Sequence, residues 1–442
     1  MSESATPRVR FAVPLDRPLE ARFDAGGVTS DGGLAWLREA EDEIGVCGAL
    51  ADQVPEWRRG KPRHTRRTLV AQRVFQIACG YEDQNDAAAL RRDPLLKVAC
   101  GRLPSSGRDL ASQPTLSRLA NAVGARACYR LARALGEVYL RERERAGVPK
   151  RVVLDLDSTD DPTHGKQEHS AYHGYYGQHP YLPLLVFDGD TDQLVTAVLR
   201  PGNAHASRGV VPVLTRVVRA LRARWPDVQI ALRADGGCAV PAVYEFCERE
   251  DLEYTIGLGT NAQLAALAAP LLASAAAEAA RTGAPARRLG EARYQAGSWP
   301  RARRVVFKAE HLAKGPNTRF VVTTRDDDPA AVYAWYTARG EPEDWIKDLN
   351  RACFAERLSC HRFWANQFRL LLHAAAYWLL GTVRRWLAAV GVPRLQLDTL
   401  RLRLVKIGGW VRERAHGVRL HLASSHPGQP LWELLASRPG RP

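Results

Sequence analysis

The run Val152, Val153, Leu154, Asp155, Leu156, Asp157 is a short apolar β pattern ending in acids, and strand and helix patterns alternate after it. Residues 181–187 and 193–199 read as further strands around the Asp-Gly-Asp turn at 188–190, which predicts an antiparallel meander. Residues 210–224 repeat apolar side chains at helical spacing, and 228–234 form a strand that stops at Asp235. A helix with proline in its first turn (241–250) and a strand (253–258) follow. Three strands and then βαβ units predict an α/β fold built on a mixed sheet flanked by helices.

The rest of the chain differs in texture. Residues 1–150 are mostly helical, with patterns at 33–43, 67–79 and 127–146, and read as an N-terminal region of their own. The sheet begins in 151–259. Residues 260–332 interrupt the alternation with an Ala-rich helix and strand-like runs at 292–295, 303–308 and 319–324, a β-rich insertion. Residues 333–390 hold two long helical patterns. The basic segment 391–442 closes the chain with an expected hairpin of strands 400–407 and 418–423.

Lys and Arg exceed Asp and Glu by 15 in 442 residues, which favours a polyanionic partner. No membrane partner is expected: the apolar stretches 370–380 and 264–277 are short for a bilayer, the first broken by His373 and the second by Pro270. Residues 1–10 hold no apolar stretch of a signal peptide, and the eight cysteines form no CxxC pair. Both features predict a cytoplasmic protein with reduced thiols. The density of cations in Trp57, Arg58, Arg59, Lys61, Arg63, Arg66 and Arg67 suits phosphate contacts, the alternative being a solvated loop. Residues 112–120 resemble the start of a recognition helix, as many capped helices do.

Three acids stand out by position: Asp157 and Asp235 at the ends of strands, where ligands gather in open α/β sheets, and Glu343 at the start of a helix. Three anions held together require cations, and paired magnesium ions on oxygen ligands suit in-line phosphoryl displacement. Taken singly, each acid also fits a turn, a cap or the helix dipole. Asp155 rivals Asp157, because residues two apart share a strand face. His164, His169, His173 and His179, with Tyr172, Tyr175 and Tyr176, cluster after the first acid, but on a loop their spacing is no zinc signature. P-loop, dinucleotide and GxSxG motifs are missing.

The segments VLDLDSTDDPTHGKQ (153–167), RADGG (233–237), YTARGEPEDWIK (336–347) and LSCHRFWANQFRLLL (358–372) together resemble bacterial insertion-sequence transposases of the DDE type, over nearly the whole chain. The resemblance implies an RNase H-like catalytic core interrupted by a β-rich insertion, a helical N-terminal DNA-binding region, and cut-and-paste transposition with two Mg2+ ions, for which Mn2+ can substitute. It implies Asp157 (followed by Ser158 and Thr159), Asp235 and Glu343 as the catalytic, metal-holding triad. Tyr336 and Arg339 become phosphate contacts. Relatives carry a lysine seven residues after the glutamate; here Asn350 stands there, and Lys347 either reaches a phosphate or pairs with Glu343. Trp299 either stacks on a flipped base or is a buried structural residue. The implied partners are the double-stranded terminal inverted repeats, target DNA and a second copy of the chain, on the bacterial nucleoid. The rival readings are a non-catalytic DNA-binding protein or repressor derived from a transposase, and a stand-alone magnesium nuclease.

Overall fold

The acid-terminated run becomes the central strand of the molecule, and the elements before it supply the floor on which it rests. The computed structural model describes residues 8–14, 16–174 and 177–439. Strands β1 (Val9–Phe11) and β2 (Leu19–Ala21) pair as an antiparallel ribbon, and β3 (Val28–Thr29) follows. Helices α1 (Leu34–Ile44), α2 (Val46–Gln53), α3 (Arg66–Ala78), α4 (Ala87–Leu90), α5 (Pro94–Ala99), α6 (Gln113–Ala122) and α7 (Ala125–Arg145) come next. Thr65 starts α3 by accepting the Thr68 N–H, and every residue from Leu69 to Ala78 is buried.

Strand β4 (Arg151–Ser158) is buried from Val152 to Leu156, as befits a strand with helices on both faces. After the short pair β5 (Asp161–Pro162) and β6 (Pro180–Tyr181), strands β7 (Leu184–Asp188) and β8 (Leu194–Val198) add antiparallel on one side of β4. Through α8 (Val210–Arg224), β9 (Gln229–Ala234), α9 (Pro241–Arg249) and β10 (Glu253–Leu258), parallel strands add on the other side. The order β8-β7-β4-β9-β10, with these directions, is the RNase H-like sheet.

The insertion continues this sheet. Helix α10 (Ala262–Thr282) is capped by the Asn261 side chain on the Leu264 N–H and stopped by Gly283 at φ +70°. By length and composition it could span a bilayer, yet it packs on β11 and β12 through Leu264, Ala268 and Ala275 and leaves its other faces exposed. Strands β11 (Ala286–Tyr294), β12 (Arg303–Leu312) and β13 (Gly315–Thr323) form a meander, and β13 pairs antiparallel with β10. Among the described residues the result is one eight-stranded sheet.

Helices α11 (Pro329–Thr337), α12 (Gly340–Cys353) and α13 (Phe363–Ala389) follow. Nearly all of α13 is buried, and it packs against α3, α7, α1 and β8. Helices of the 1–150 region, the sheet and α13 therefore share one continuous hydrophobic core.

The C-terminal hairpin departs from expectation. Residues 400–407 were expected as a strand, but α14 (Leu397–Leu400) runs into a π turn at Arg401–Val405. Leu397, Leu400 and Leu404 are buried at helical spacing, and Arg401 donates to the Ala352 carbonyl, so tertiary burial selected the helical phase of an ambiguous apolar pattern. The hairpin is β14 (Gly409–Arg414) with β15 (Gly417–Leu422), and β14 also pairs with β3. Helix α15 (Gln429–Ala436) ends the chain.

Candidate active site

Asp157 and Asp235 stand at the carboxyl ends of adjacent parallel strands. The register pairs Leu156 of β4 with Ala234 of β9, which sets the two acids side by side one residue further on. The Ser158 N–H donates to Asp157 Oδ1 at 2.8 Å, and the Gly237 N–H donates to Asp235 Oδ1 at 3.0 Å. Asp235 thereby caps the 3-10 turn at Gly236–Cys238, the structural role a lone acid after a strand commonly fills, while remaining partly exposed. Glycine is required close by: a Cβ on Gly257 of β10 would lie 2.6 Å from the Tyr336 hydroxyl.

Glu343 is exposed on α12, whose opposite face is anchored by the buried Trp345, Leu349 and Ala352. Asp157 and Glu343 line one open cleft of about 400 Å³, together with Ser158, Thr159, Lys347, Asn350, Arg351 and Glu356. Burial pushes the Asp157 carboxyl up to about 6; Arg339 pulls it down, while Asp235 and Glu343 push it further up. Asp157 thus feels both of the other acids. Arg339 meets Asp157 at 3.1 Å.

Asp155 has a different fate. Arg233 of β9, its register partner, binds both its oxygens at 2.7 and 2.6 Å and donates to the Trp335 carbonyl at 3.1 Å. That buried pair takes Asp155 out of the cleft. Its signal was in the sequence: Arg233 precedes Asp235 by two residues, as Asp155 precedes Asp157. Arg200, another residue sequence reasoning missed, donates to the Ser158 hydroxyl at 2.7 Å and so braces the strand end carrying Asp157. Glu356, also missed, belongs to a turn without a motif.

The other expected residues divide. Tyr336 is half-buried, and burial raises its hydroxyl pKa. Lys347 pairs with Asp344 at 2.9 Å, both exposed, instead of with Glu343. Trp299 is buried, its ring 5.3 Å from Tyr244 and 5.4 Å from Tyr294, with the Arg303 guanidinium over it. Its faces are filled, so base stacking on Trp299 is replaced by a packing role. In the basic run, Arg58 pairs with Glu56, Arg66 donates to the Val54 carbonyl and Arg67 pairs with Asp52. Arg59, Lys61 and Arg63 are exposed, with no acidic partner among the described residues. Of the His and Tyr cluster, Tyr175 and Tyr176 lie outside the described residues; His169 packs on Phe363 and His179 on Tyr172.

The donor set of three carboxylates is hard and all-oxygen, which fits a divalent cation such as magnesium. Among the described residues no three His, Cys, Asp or Glu side chains are gathered around one point, and the charge beside Asp157 is that of Arg339.

A family model described as "Transposase DDE domain group 1" matches residues 11–438. No curated protein matches the sequence. Among solved structures, the chain is similar to piggyBac transposase in a synaptic complex with hairpin DNA, at 11% identity over 85% of this chain and 79% of that one, with a TM-score of 0.45. It is also similar to Mos1 transposase in a paired-end complex with the left transposon end, at 14% identity over 46% of this chain and 61% of that one, with a TM-score of 0.18.

Proposed function

The chain belongs to the transposase DDE domain group 1 family, and from that premise we propose that it cuts DNA at the ends of an insertion sequence and joins them to a target by Mg2+-dependent strand cleavage and strand transfer. The observation that carries this reading is the side-by-side placement of Asp157 and Asp235 on adjacent parallel strands, with Glu343 facing Asp157 across an open cleft. Asp157, Asp235 and Glu343 are the residues that would hold two divalent ions. Bound there, the ions supply Lewis-acid stabilisation of the attacking and leaving oxygens of an in-line phosphoryl transfer.

The chain's own residues do the positioning. The Ser158 and Gly237 amides fix one oxygen each of Asp157 and Asp235, and the other oxygen of Asp157 meets Arg339. Arg339 and Lys347 take phosphates beside the scissile bond, with Tyr336 packed behind them. Arg59, Lys61 and Arg63, with the neighbouring Arg58, Arg66 and Arg67, track the backbone of the terminal repeat. Two copies of the chain act together so that both ends are cut in one complex in the cytoplasm.

The second reading, a DNA-binding protein without catalysis, draws on the Arg339 contact, which neutralises Asp157. A magnesium-dependent cleavage assay on the DNA flanking this gene, with wild type and Glu343→Gln, tests both. Cleavage at the terminal repeats by wild type alone is the expected result. End binding without cleavage by either protein selects the second reading.

A further inference from the structure

Strand β4 carries two Asp–Arg pairs two residues apart, and they are built differently. The Asp155–Arg233 pair is bidentate, its side chains are 1% and 5% exposed, and the guanidinium is also held by the Trp335 carbonyl with the Trp335 ring 5.2 Å away. In the Asp157–Arg339 pair the closest N···O approach is 3.1 Å, from Nη2 to Oδ2, the side chains are 12% and 14% exposed, and the pair sits beside the cleft. Arg339 Nε is buried with no hydrogen-bond partner. A fully satisfied bidentate pair is a fixture, whereas a guanidinium with an unsatisfied N–H has less to lose by moving. Arg339 is also the junction residue between α11 and α12, so a side-chain rotation moves its charge without shifting either helix.

We propose that Arg339 is a resident counter-cation for Asp157 that a divalent ion displaces. The inference rests on the reading that Asp157 is a metal ligand. In the ion-free protein the guanidinium offsets the repulsion among Asp157, Asp235 and Glu343. When an ion takes over that charge, Arg339 is released into the cleft, where a DNA phosphate is the anion available to it. Ion binding and phosphate binding then favour each other, because the ion creates the free cation that the phosphate needs. One arginine serves both states of the site.

The test is Mn2+ binding to the full chain without DNA, read from the electron paramagnetic resonance signal of free Mn2+, for wild type, Arg339→Gln, Arg339→Lys, Lys347→Gln and Asp157→Asn. Removing the competing cation is expected to tighten Mn2+ binding in Arg339→Gln on the order of three- to tenfold, the scale of one partly exposed ion pair. Arg339→Lys, which keeps a charge on a shorter reach, falls between the two and serves in place of the glutamine variant if that one does not fold. Lys347→Gln, which removes a cleft cation paired elsewhere, changes the affinity less than about twofold. Unchanged or weaker binding in Arg339→Gln overturns the inference, as does an equal gain in Lys347→Gln, because either removes the special contact. Wild type that binds no Mn2+, or binds it no better than Asp157→Asn, overturns the metal-ligand reading and the inference with it.

Discussion

The two sides of the cleft are held in opposite ways. On the strand side, Asp157 and Asp235 grow from the central sheet and each accepts a local backbone N–H, so their positions follow from β4 and β9. On the helix side, Glu343 is exposed near the start of α12, and what positions it lies further along the helix. Asp348 is buried there and accepts from Arg384 at 2.5 Å and from the Leu397 N–H at 3.0 Å. One side is registered by the sheet, the other by a buried ion pair that links three helical segments. The strand side can be rigid from the outset, while the helix side depends on tertiary anchors.

The largest expected effect comes from the strand side: Asp157→Asn or Asp235→Asn abolishes DNA cleavage and leaves end binding intact, as parallel cleavage and gel-shift assays would record. Cleavage by either variant would make the strand side dispensable. On the helix side, Asp348→Ala leaves Arg384 with Asp192 as its remaining carboxylate partner and the Leu397 N–H without its acceptor, and is expected to cost about 3 kcal/mol of unfolding free energy in a urea titration, with cleavage lowered as Glu343 drifts. Full activity with lost stability would show that Glu343 needs no such anchor. Trp299→Ala, away from both sides, is expected to cost a similar 3–5 kcal/mol because it empties a packed aromatic cluster, with DNA affinity per folded molecule unchanged.

A smaller effect separates the sides by pH. Asp157 has its folded pKa raised to about 6 by burial, with Asp235 and Glu343 adding to the push. The stability contributed by its uncharged form is present in full below about pH 4 and is lost as pH rises through about 6. In chelator, the unfolding free energy of wild type should therefore fall over that window, and Asp157→Asn should flatten the fall; parallel curves would place the burden elsewhere. The smallest effect is expected for Lys347→Ala, whose exposed pair with Asp344 should leave the urea midpoint within error.

The sequence was most informative where chemistry and period coincide. The helix Val210–Arg224 and the strand Glu253–Leu258 have the limits expected from their patterns, and the acid-terminated strands placed Asp157 and Asp235 at the correct end of the sheet. It was ambiguous where one pattern suits two periods: residues 400–407 alternate like a strand, yet Leu400 and Leu404 also match a helical face. Trp299 could not be assigned from its neighbours, since Gly297, Ser298 and Pro300 look like a loop, while its ring partners Tyr244 and Tyr294 come from α9 and β11. Asp155 and Asp157 share a strand face, the following Ser158 and Thr159 favour Asp157 by resemblance, and the cross-strand partner Arg233 accounts for Asp155.

By itself, then, the sequence determined which acids exist at strand ends, the helical or extended state of stretches whose pattern suits one period, and the excess of positive charge, because these depend on residue type and local period. Tertiary structure decided what no local pattern carries. It joined the insertion to the edge strand β10, buried Trp299, tied Lys347 to Asp344 and set Arg339 against Asp157. Each of those outcomes depends on which surfaces and charges meet across the fold, and that is fixed only when the core excludes water and the strands choose their register.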